Sequence, residues 1–165
     1  MIRSYKLEDI NYIISTHYEI YHKEYHYDES FKEFIQEKVW DIVNRSHVRE
    51  NIWVVEKEGD LKGSVCINQF DSEIAQLGLF LIEPLSRGLG IGSQLIKTAI
   101  TFSTEKKYKK IILWTNSDLI AARNLYKKFG FEIVETQEVV LSNITMVEER
   151  WELILNSEGE RKGEN

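Results

Sequence analysis

The chain has 165 residues, of which 42% are hydrophobic and 29% are charged, a composition typical of a folded globular protein and not of a disordered one. The formal net charge of −6 disfavours nucleic acid as the main partner, because phosphate backbones are bound by basic surfaces. The single cysteine excludes an intrachain disulfide, and no apolar run reaches the length of a membrane span. We therefore expect a cytoplasmic protein with neither a nucleic-acid nor a membrane partner.

The first third of the chain predicts a short strand followed by two helices. Residues 2–5 form the strand, and Asp9 precedes a helix. Ser30 and Glu33 have the spacing of a capping box, so the second helix is expected to start there and to fade near Arg45. The inward positions of the first helix recur at helical spacing: Ile10, Ile13, Ile14, His17 and Tyr21.

The middle of the chain predicts three successive strands. Residues 52–55 and 61–68 are strand-like and are separated by Glu58-Gly59-Asp60, which is a hairpin signal. The long apolar run of residues 74–82 predicts a central strand.

The last part of the chain alternates helices and strands. Helices are predicted over residues 90–105 and 118–129, the second closed by Gly130. A buried strand over 111–114 separates them, and two further strands follow over 131–140 and 146–155. This order predicts an α/β (α+β) domain over residues 1–155 with a mixed sheet and helices on both faces. Residues 156–165 are expected to form a disordered polar tail.

The segment from Arg87 to Ser93 predicts an anion site. A strand ends at Pro84, and a glycine-rich turn then opens a helix whose first amides lack partners and carry partial positive charge. The P-loop pattern fails because Gly92 is followed by Ser93-Gln94 and not by Lys-Ser/Thr. The dinucleotide pattern also fails, because the glycines run G-x-G-x-G. Arg-x-x-Gly-x-Gly, formed by Arg87, Gly90 and Gly92, remains.

With a second motif, the sequence resembles the GNAT superfamily of N-acetyltransferases. Residues 79–92 resemble the family's strand and glycine loop, and residues 121–131 resemble its Ala-x-x-x-Tyr-x-x-x-Gly-Phe motif. The closest likeness is to the acetyltransferase portion of bacterial MarR-GNAT fusion proteins. The resemblance implies the GNAT fold, with a mostly antiparallel sheet of six to seven strands.

The resemblance implies acetyl-CoA as co-substrate, with no metal. The family's strand–loop motif implies that the backbone of Phe80, Leu81 and Ile82 pairs with the pantetheine arm. The other expected cofactor contacts are Arg87, Gly88, Leu89, Gly90, Ile91, Gly92, Ser93, Asn116, Ala122, Arg123 and Tyr126.

The implied reaction is direct attack of an amine on the acyl-CoA thioester. Tyr126 matches the family's motif tyrosine and is expected to protonate the leaving thiolate. The amine must first lose a proton, and Glu73 and Glu24 are candidate bases that no motif supports. Each is also compatible with an ordinary solvated carboxylate.

The aromatic segment between residues 18 and 27 is the expected acceptor region, with Tyr21, Glu24 and Tyr25 as substrate contacts. The partner is expected to be a small-molecule amine or amino acid, and the protein a monomer or homodimer. Two rival functions stay open, namely an acyl-CoA sensor without turnover and a dinucleotide-binding oxidoreductase.

Overall fold

In the computed structural model, residues 1–155 are described, and the predicted tail at 156–165 lies outside them. The strands are β1 Ile2–Ser4, β2 Asn51–Lys57, β3 Asp60–Gln69, β4 Ile74–Ile82, β5 Lys110–Asn116, β6 Glu132–Leu141 and β7 Ile144–Ile154. The helices are α1 Ile10–Tyr25, α2 Glu29–Arg45, α3 Ile91–Glu105 and α4 Ile120–Lys128. No helix within residues 1–155 has both the length and the apolar character that crossing a bilayer demands.

All seven strands form one sheet in the order β1-β2-β3-β4-β5-β7-β6. Every neighbouring pair is antiparallel except β4 and β5, which are parallel. A parallel pair needs a crossover connection, and α3 provides it. The predicted fold, its element order and the hairpin between β2 and β3 are therefore confirmed.

Alternation along the strands divides the core into two layers. On β2, Ile52 and Val54 pack against α1 and α2, whereas Trp53 and Val55 pack against α3. Helices therefore cover both faces of the sheet, and the apolar area that they bury supplies most of the driving force for folding.

Two helix starts differ from the sequence prediction. The N-cap of α2 is Asp28, whose Oδ1 accepts the Ser30 backbone N–H at 3.0 Å, so Ser30 and Glu33 form no capping box. Asp28 and not Ser30 is the N-cap, because the Asp28 carboxylate accepts a bond from a free amide and lies at the positive end of the helix dipole. The last helix begins at Ile120 and not at Asp118, because Asn116 Oδ1 takes the Asp118 N–H in a turn at 2.9 Å.

A β-bulge interrupts β4 where it faces β3. Cys66 pairs with Gly78 and Ser64 pairs with Leu81, so one residue on β3 is opposite two on β4. At the bulge Leu79 has φ 49°, a left-handed conformation that is costly for leucine. The buried Ser64 hydroxyl donates a hydrogen bond of 2.7 Å to the Leu79 carbonyl and holds it in place.

β4 and β5 separate from each other after three pairs of residues. The parallel register runs only from Ile74↔Lys110 to Gln76↔Ile112, although both strands continue beyond it. From Leu77 to Ile82, β4 therefore has no strand partner on its β5 side within the described residues. An unpaired strand edge of this kind can accept an extended ligand.

We predict that Ser64→Ala lowers the free energy of unfolding by about 1–2 kcal/mol, because it removes the buried bond that holds the Leu79 carbonyl. Chemical denaturation measures the change. The matched control is Ser103→Ala, because Ser103 is fully buried and its hydroxyl has no partner among residues 1–155. Removing that hydroxyl is expected to be neutral or stabilising, and equal losses in the two variants would contradict the role given to Ser64.

Candidate functional site

The glycine loop forms the N-terminus of α3. Gly90 is the N-cap with φ 80°, a conformation that glycine adopts without a steric penalty, and its carbonyl accepts the first helical bond from Gln94 N–H at 3.1 Å. The amides of Ile91, Gly92 and Ser93 precede that bond and so lack partners inside the helix. Together with the helix dipole they form a site suited to a phosphate group.

Gly92 lies close to side chains of α4 and β4. A Cβ at this position would lie 2.7 Å from Leu125 Cδ1 on α4 and 3.4 Å from Phe80 Cζ on β4. A larger residue would therefore require the end of the Leu125 side chain to shift.

A cavity of about 390 Å³, here called the glycine-loop cavity, lies between the loop, α1, α4 and the end of β4. Its lining includes most of the residues predicted to bind the cofactor: Phe80, Leu81, Ile82, Arg87, Gly88, Gly90, Gly92, Ser93 and Ala122. The other five predicted residues do not line it: Leu89, which is 60% exposed, Ile91, which is buried in the core, and Asn116, Arg123 and Tyr126, which are described below.

Arg87 is the cation of the glycine-loop cavity. Its Nε donates to the Ile82 carbonyl at 3.2 Å, and its Nη2 lies 3.2 Å from Glu24 Oε1. Both side chains of this ion pair are partly exposed, so the pair contributes little to stability and can open when an anion arrives. Tyr25, predicted as an acceptor contact, lines this cavity too.

A second cavity of about 410 Å³, here called the aromatic cavity, opens where β4 and β5 part. Its aromatic residues are Tyr21, Tyr27, Phe31, Phe34, Phe80, Trp114 and Tyr126. The two cavities share one wall, which we call the common wall and which consists of Tyr21, Phe80, Leu119 and Ala122. A group held at Phe80 is thus next to both spaces.

Tyr126 projects from α4 into the aromatic cavity and is 5% exposed. Its ring packs against those of Phe80, Phe131 and Trp151, with centroids 5.9–6.1 Å apart. Burial raises the pKa of its hydroxyl well above the ordinary value of 10. The hydroxyl therefore stays protonated at neutral pH.

Glu73 is not brought to either cavity. It precedes β4, its side chain is largely exposed and it forms an ion pair with Lys109. Phe80 is seven residues further along, which corresponds to roughly 20 Å in a strand. The structure thus separates Glu73 from Tyr126.

The side chains of Arg123 and Asn116 form hydrogen bonds to other residues of the protein. The Arg123 guanidinium lies outside both cavities and makes a two-point ion pair with the buried Glu149, at 2.8 and 3.0 Å. That pair fastens α4 to β7. Asn116 lines the aromatic cavity and donates to the Tyr27 hydroxyl at 2.6 Å, which ties the end of β5 to the loop after α1.

Several polar residues of the aromatic cavity were not predicted as site residues, among them His17, Lys38, Thr115 and Glu148. The sequence did place His17 on the inward side of the first helix, so its burial could have been predicted. Nothing in the sequence indicated that Lys38 and Glu148 line a cavity, because a charged residue on an amphipathic helix or an outer strand usually faces water.

The His17 ring is buried and its Nδ1 lies 3.0 Å from the Ile13 carbonyl. Because a carbonyl can only accept, Nδ1 carries the proton of the neutral ring. Nε2 has no hydrogen-bond partner in the described part of the chain. Burial lowers the pKa of His17 to about 4, outweighing the opposite effects of the Ile13 and Leu79 carbonyls, so the ring is neutral at neutral pH.

Comparison with known sequences and structures assigns the family. The model of the Acetyltransferase (GNAT) family matches residues 13–131, and the chain belongs to this family. The predicted membership is confirmed, whereas the narrower likeness to MarR-GNAT fusion proteins stays a prediction.

Individual relatives agree with this assignment. An uncharacterized N-acetyltransferase of Schizosaccharomyces pombe is 32% identical over 81 residues, which are 48% of this chain and 50% of that protein. The chain thus spans half the length of this curated relative.

Solved structures show the same fold. An N-acetyltransferase of Staphylococcus aureus superimposes with a TM-score of 0.78 at 22% identity, covering 93% of this chain and 97% of the other. An acetyltransferase of Salmonella typhimurium, solved with its cofactor acetyl-CoA, has a TM-score of 0.74 at 14% identity and covers 94% of both chains.

We predict that buried His17 makes the protein less stable as the pH falls from 6.5 towards 4. The unfolded chain takes up a proton near pH 6.5, whereas the folded chain resists it down to about 4, a difference worth roughly 3 kcal/mol. In His17→Gln the loss over this interval should largely disappear in denaturant titrations at each pH.

The matched control is His47→Gln, because His47 is exposed. This variant should keep the pH dependence of the parent. Asp9 and Glu152 have lowered pKa values, so the stability that they contribute is lost mainly below pH 4.5. An unchanged slope in His17→Gln between pH 4.5 and 6.5 would contradict the assignment.

Proposed function

We propose that the protein is an N-acetyltransferase that moves an acetyl group from acetyl-CoA to a primary amine of a small molecule or amino acid. One observation supports this most: the unpaired edge of β4 lies between a phosphate-suited helix N-terminus and an aromatic cavity, and Phe80 borders both spaces.

The glycine-loop cavity is the proposed acetyl-CoA site. The pyrophosphate binds the amides at the start of α3, and Arg87 turns from Glu24 to the phosphates. The pantetheine arm extends along the free edge of β4 between Phe80 and Ile82, pairing with it as an added strand. The structural neighbour with bound acetyl-CoA supports this choice of ligand.

The acceptor amine is proposed to enter through the aromatic cavity and attack the thioester carbonyl at the common wall. A nitrogen–carbon bond forms as the carbon–sulfur bond breaks, and a backbone N–H of β4 stabilises the oxyanion. The Tyr126 hydroxyl protonates the leaving thiolate, and the proton that the attacking nitrogen loses restores the Tyr126 hydroxyl. Glu73 has no part in this scheme because it lies at the far end of β4.

Thiol release from acetyl-CoA in the presence of a panel of primary amines tests the activity directly. The proposed enzyme releases CoA only when an acceptor is present, and mass spectrometry detects an acetylated amine. Saturable acetyl-CoA binding without CoA release for any amine would instead support a sensor. Binding of NAD but not of acetyl-CoA would support the dinucleotide alternative.

We predict that Tyr126→Phe retains acetyl-CoA affinity and lowers kcat by about 10²–10⁴-fold, because the proton donor is lost while the ring packing is kept. Steady-state kinetics with a good acceptor and calorimetry with acetyl-CoA measure the two effects. The control is Tyr5→Phe, a half-buried tyrosine outside both cavities, which should retain full activity. An unchanged kcat in Tyr126→Phe would remove this hydroxyl from the mechanism.

We predict that Arg87→Gln weakens acetyl-CoA binding by about tenfold or more, because a charge-assisted bond to phosphate contributes about 1.5–3 kcal/mol. Calorimetric Kd values give the effect. The companion variant Glu24→Gln removes the competing carboxylate, so its Kd should be unchanged or smaller. If Glu24→Gln weakened binding as much as Arg87→Gln, the ion pair itself would be required, and direct phosphate contact by Arg87 would be refuted.

A further inference from the structure

The side chain of Lys38 fills the space that Gly78 leaves open. A Cβ at position 78 would lie 2.7 Å from Lys38 Nζ and 3.1 Å from its Cε. Lys38 projects from α2, and both residues line the aromatic cavity. The absence of a side chain on β4 thus lets an ammonium group from the opposing helix reach the cavity wall.

Within residues 1–155 this ammonium has no carboxylate partner. None of the ion pairs within residues 1–155 involves Lys38, and the residue is only partly exposed. Burial is the main cause of the lowered pKa of His17, and the positive charge of Lys38 lowers that pKa further. A partly desolvated charge without a counter-ion is unfavourable, so an anionic ligand at this position would be stabilised.

The rest of the cavity suits a small molecule that is charged at one part and apolar at another. Among the described residues that line the cavity, Glu148 on β7 is the only other Asp, Glu, Lys or Arg, and it accepts a hydrogen bond from Gln137 at 2.9 Å. His17 Nε2 and Thr115 Oγ1 are buried, and neither has a hydrogen-bond partner in residues 1–155. These atoms offer further polar contacts among the aromatic walls.

We propose that Lys38 binds the carboxylate of the acceptor, so that the acceptor class is amino acids with a free carboxylate and not polyamines or peptide N-termini. This inference rests on the proposed acetyltransferase function. A polyamine would be repelled by the ammonium group, and the amine of a peptide N-terminus has no carboxylate attached to the same carbon. Lys38 is thus a specificity-determining residue that selects the acceptor.

The test compares amino acids with their own amides, which lack the carboxylate. Because the amine of an amide is also less basic, kcat/KM is corrected for the fraction of each amine that is unprotonated. The parent protein is expected to prefer the acids by about tenfold or more in kcat/KM, as one charge-assisted bond predicts. In Lys38→Met the ratio of acid to amide should fall to near one, mainly through a higher KM for the acids. The Kd for acetyl-CoA should stay unchanged.

Two further variants separate the charge from its packing. Lys38→Arg keeps the cation and should retain the preference for acids. Lys32→Met removes an exposed lysine of α2, whose Nζ lies 5.7 Å from the Tyr18 ring centroid and which lines neither cavity, so it should behave as the parent does. Circular dichroism and thermal melting confirm that each variant is folded.

Equilibrium binding of the same pairs to the protein–CoA complex provides a second readout that does not depend on turnover. If no amine caused CoA release while acids still bound better than amides in a Lys38-dependent way, the proposed reaction would fail and the carboxylate site would stand. If amides were acetylated or bound as well as acids, or if Lys38→Met kept the preference, the inference would be overturned while the acetyltransferase function remained.

Discussion

The separation of β4 from β5 is the constraint on which the whole site depends. In a continuous sheet the backbone of β4 would be saturated on both sides, and no ligand could add to it. Here the strands pair over three residues and then diverge, and the bulge at Leu79 turns the free part of β4. The left-handed conformation of Leu79 is unfavourable by itself. The surrounding structure stabilises it, because Ser64 hydrogen-bonds to the Leu79 carbonyl and the Leu79 side chain is buried.

The two cavities differ in whether their cationic side chain has a carboxylate partner within residues 1–155. In the glycine-loop cavity Arg87 is held by Glu24 in a partly exposed pair, so its charge is compensated until a stronger anion competes for it. In the aromatic cavity Lys38 has no such partner within residues 1–155. A protein with a net charge of −6 thus has a local cation at each cavity, which illustrates why net charge constrains macromolecular partners more than small ligands.

Much of the fold was predictable because it depends on local periodicity. The bounds of β4 were predicted to the residue from its long apolar run. The glycines from Gly88 to Gly92 correctly predicted a turn that opens a helix, whereas CoA as its ligand was suggested only together with the second motif. The bulge was not predictable, because Leu79-Phe80 is an ordinary strand sequence and the register shift arises only when β3 pairs with β4.

Features that depend on distant partners were missed for a similar reason. Arg123 occupies a motif position that suggested a cofactor contact, yet Glu149, twenty-six residues later, binds it in the structure. Nothing in the sequence around Lys38 indicates that its ammonium group lies against Gly78 on β4. A sequence shows which charges exist, but which of them remain unpaired depends on contacts between distant elements.

The common wall has a thermodynamic consequence. Tyr21, Phe80, Leu119 and Ala122 face both cavities, so a ligand in one cavity touches side chains that a ligand in the other also touches. Any shift of these side chains by the first ligand changes the affinity of the second, and linkage requires that the factor be the same in both directions. Each ligand therefore changes the affinity for the other by the same factor, whichever of the two binds first.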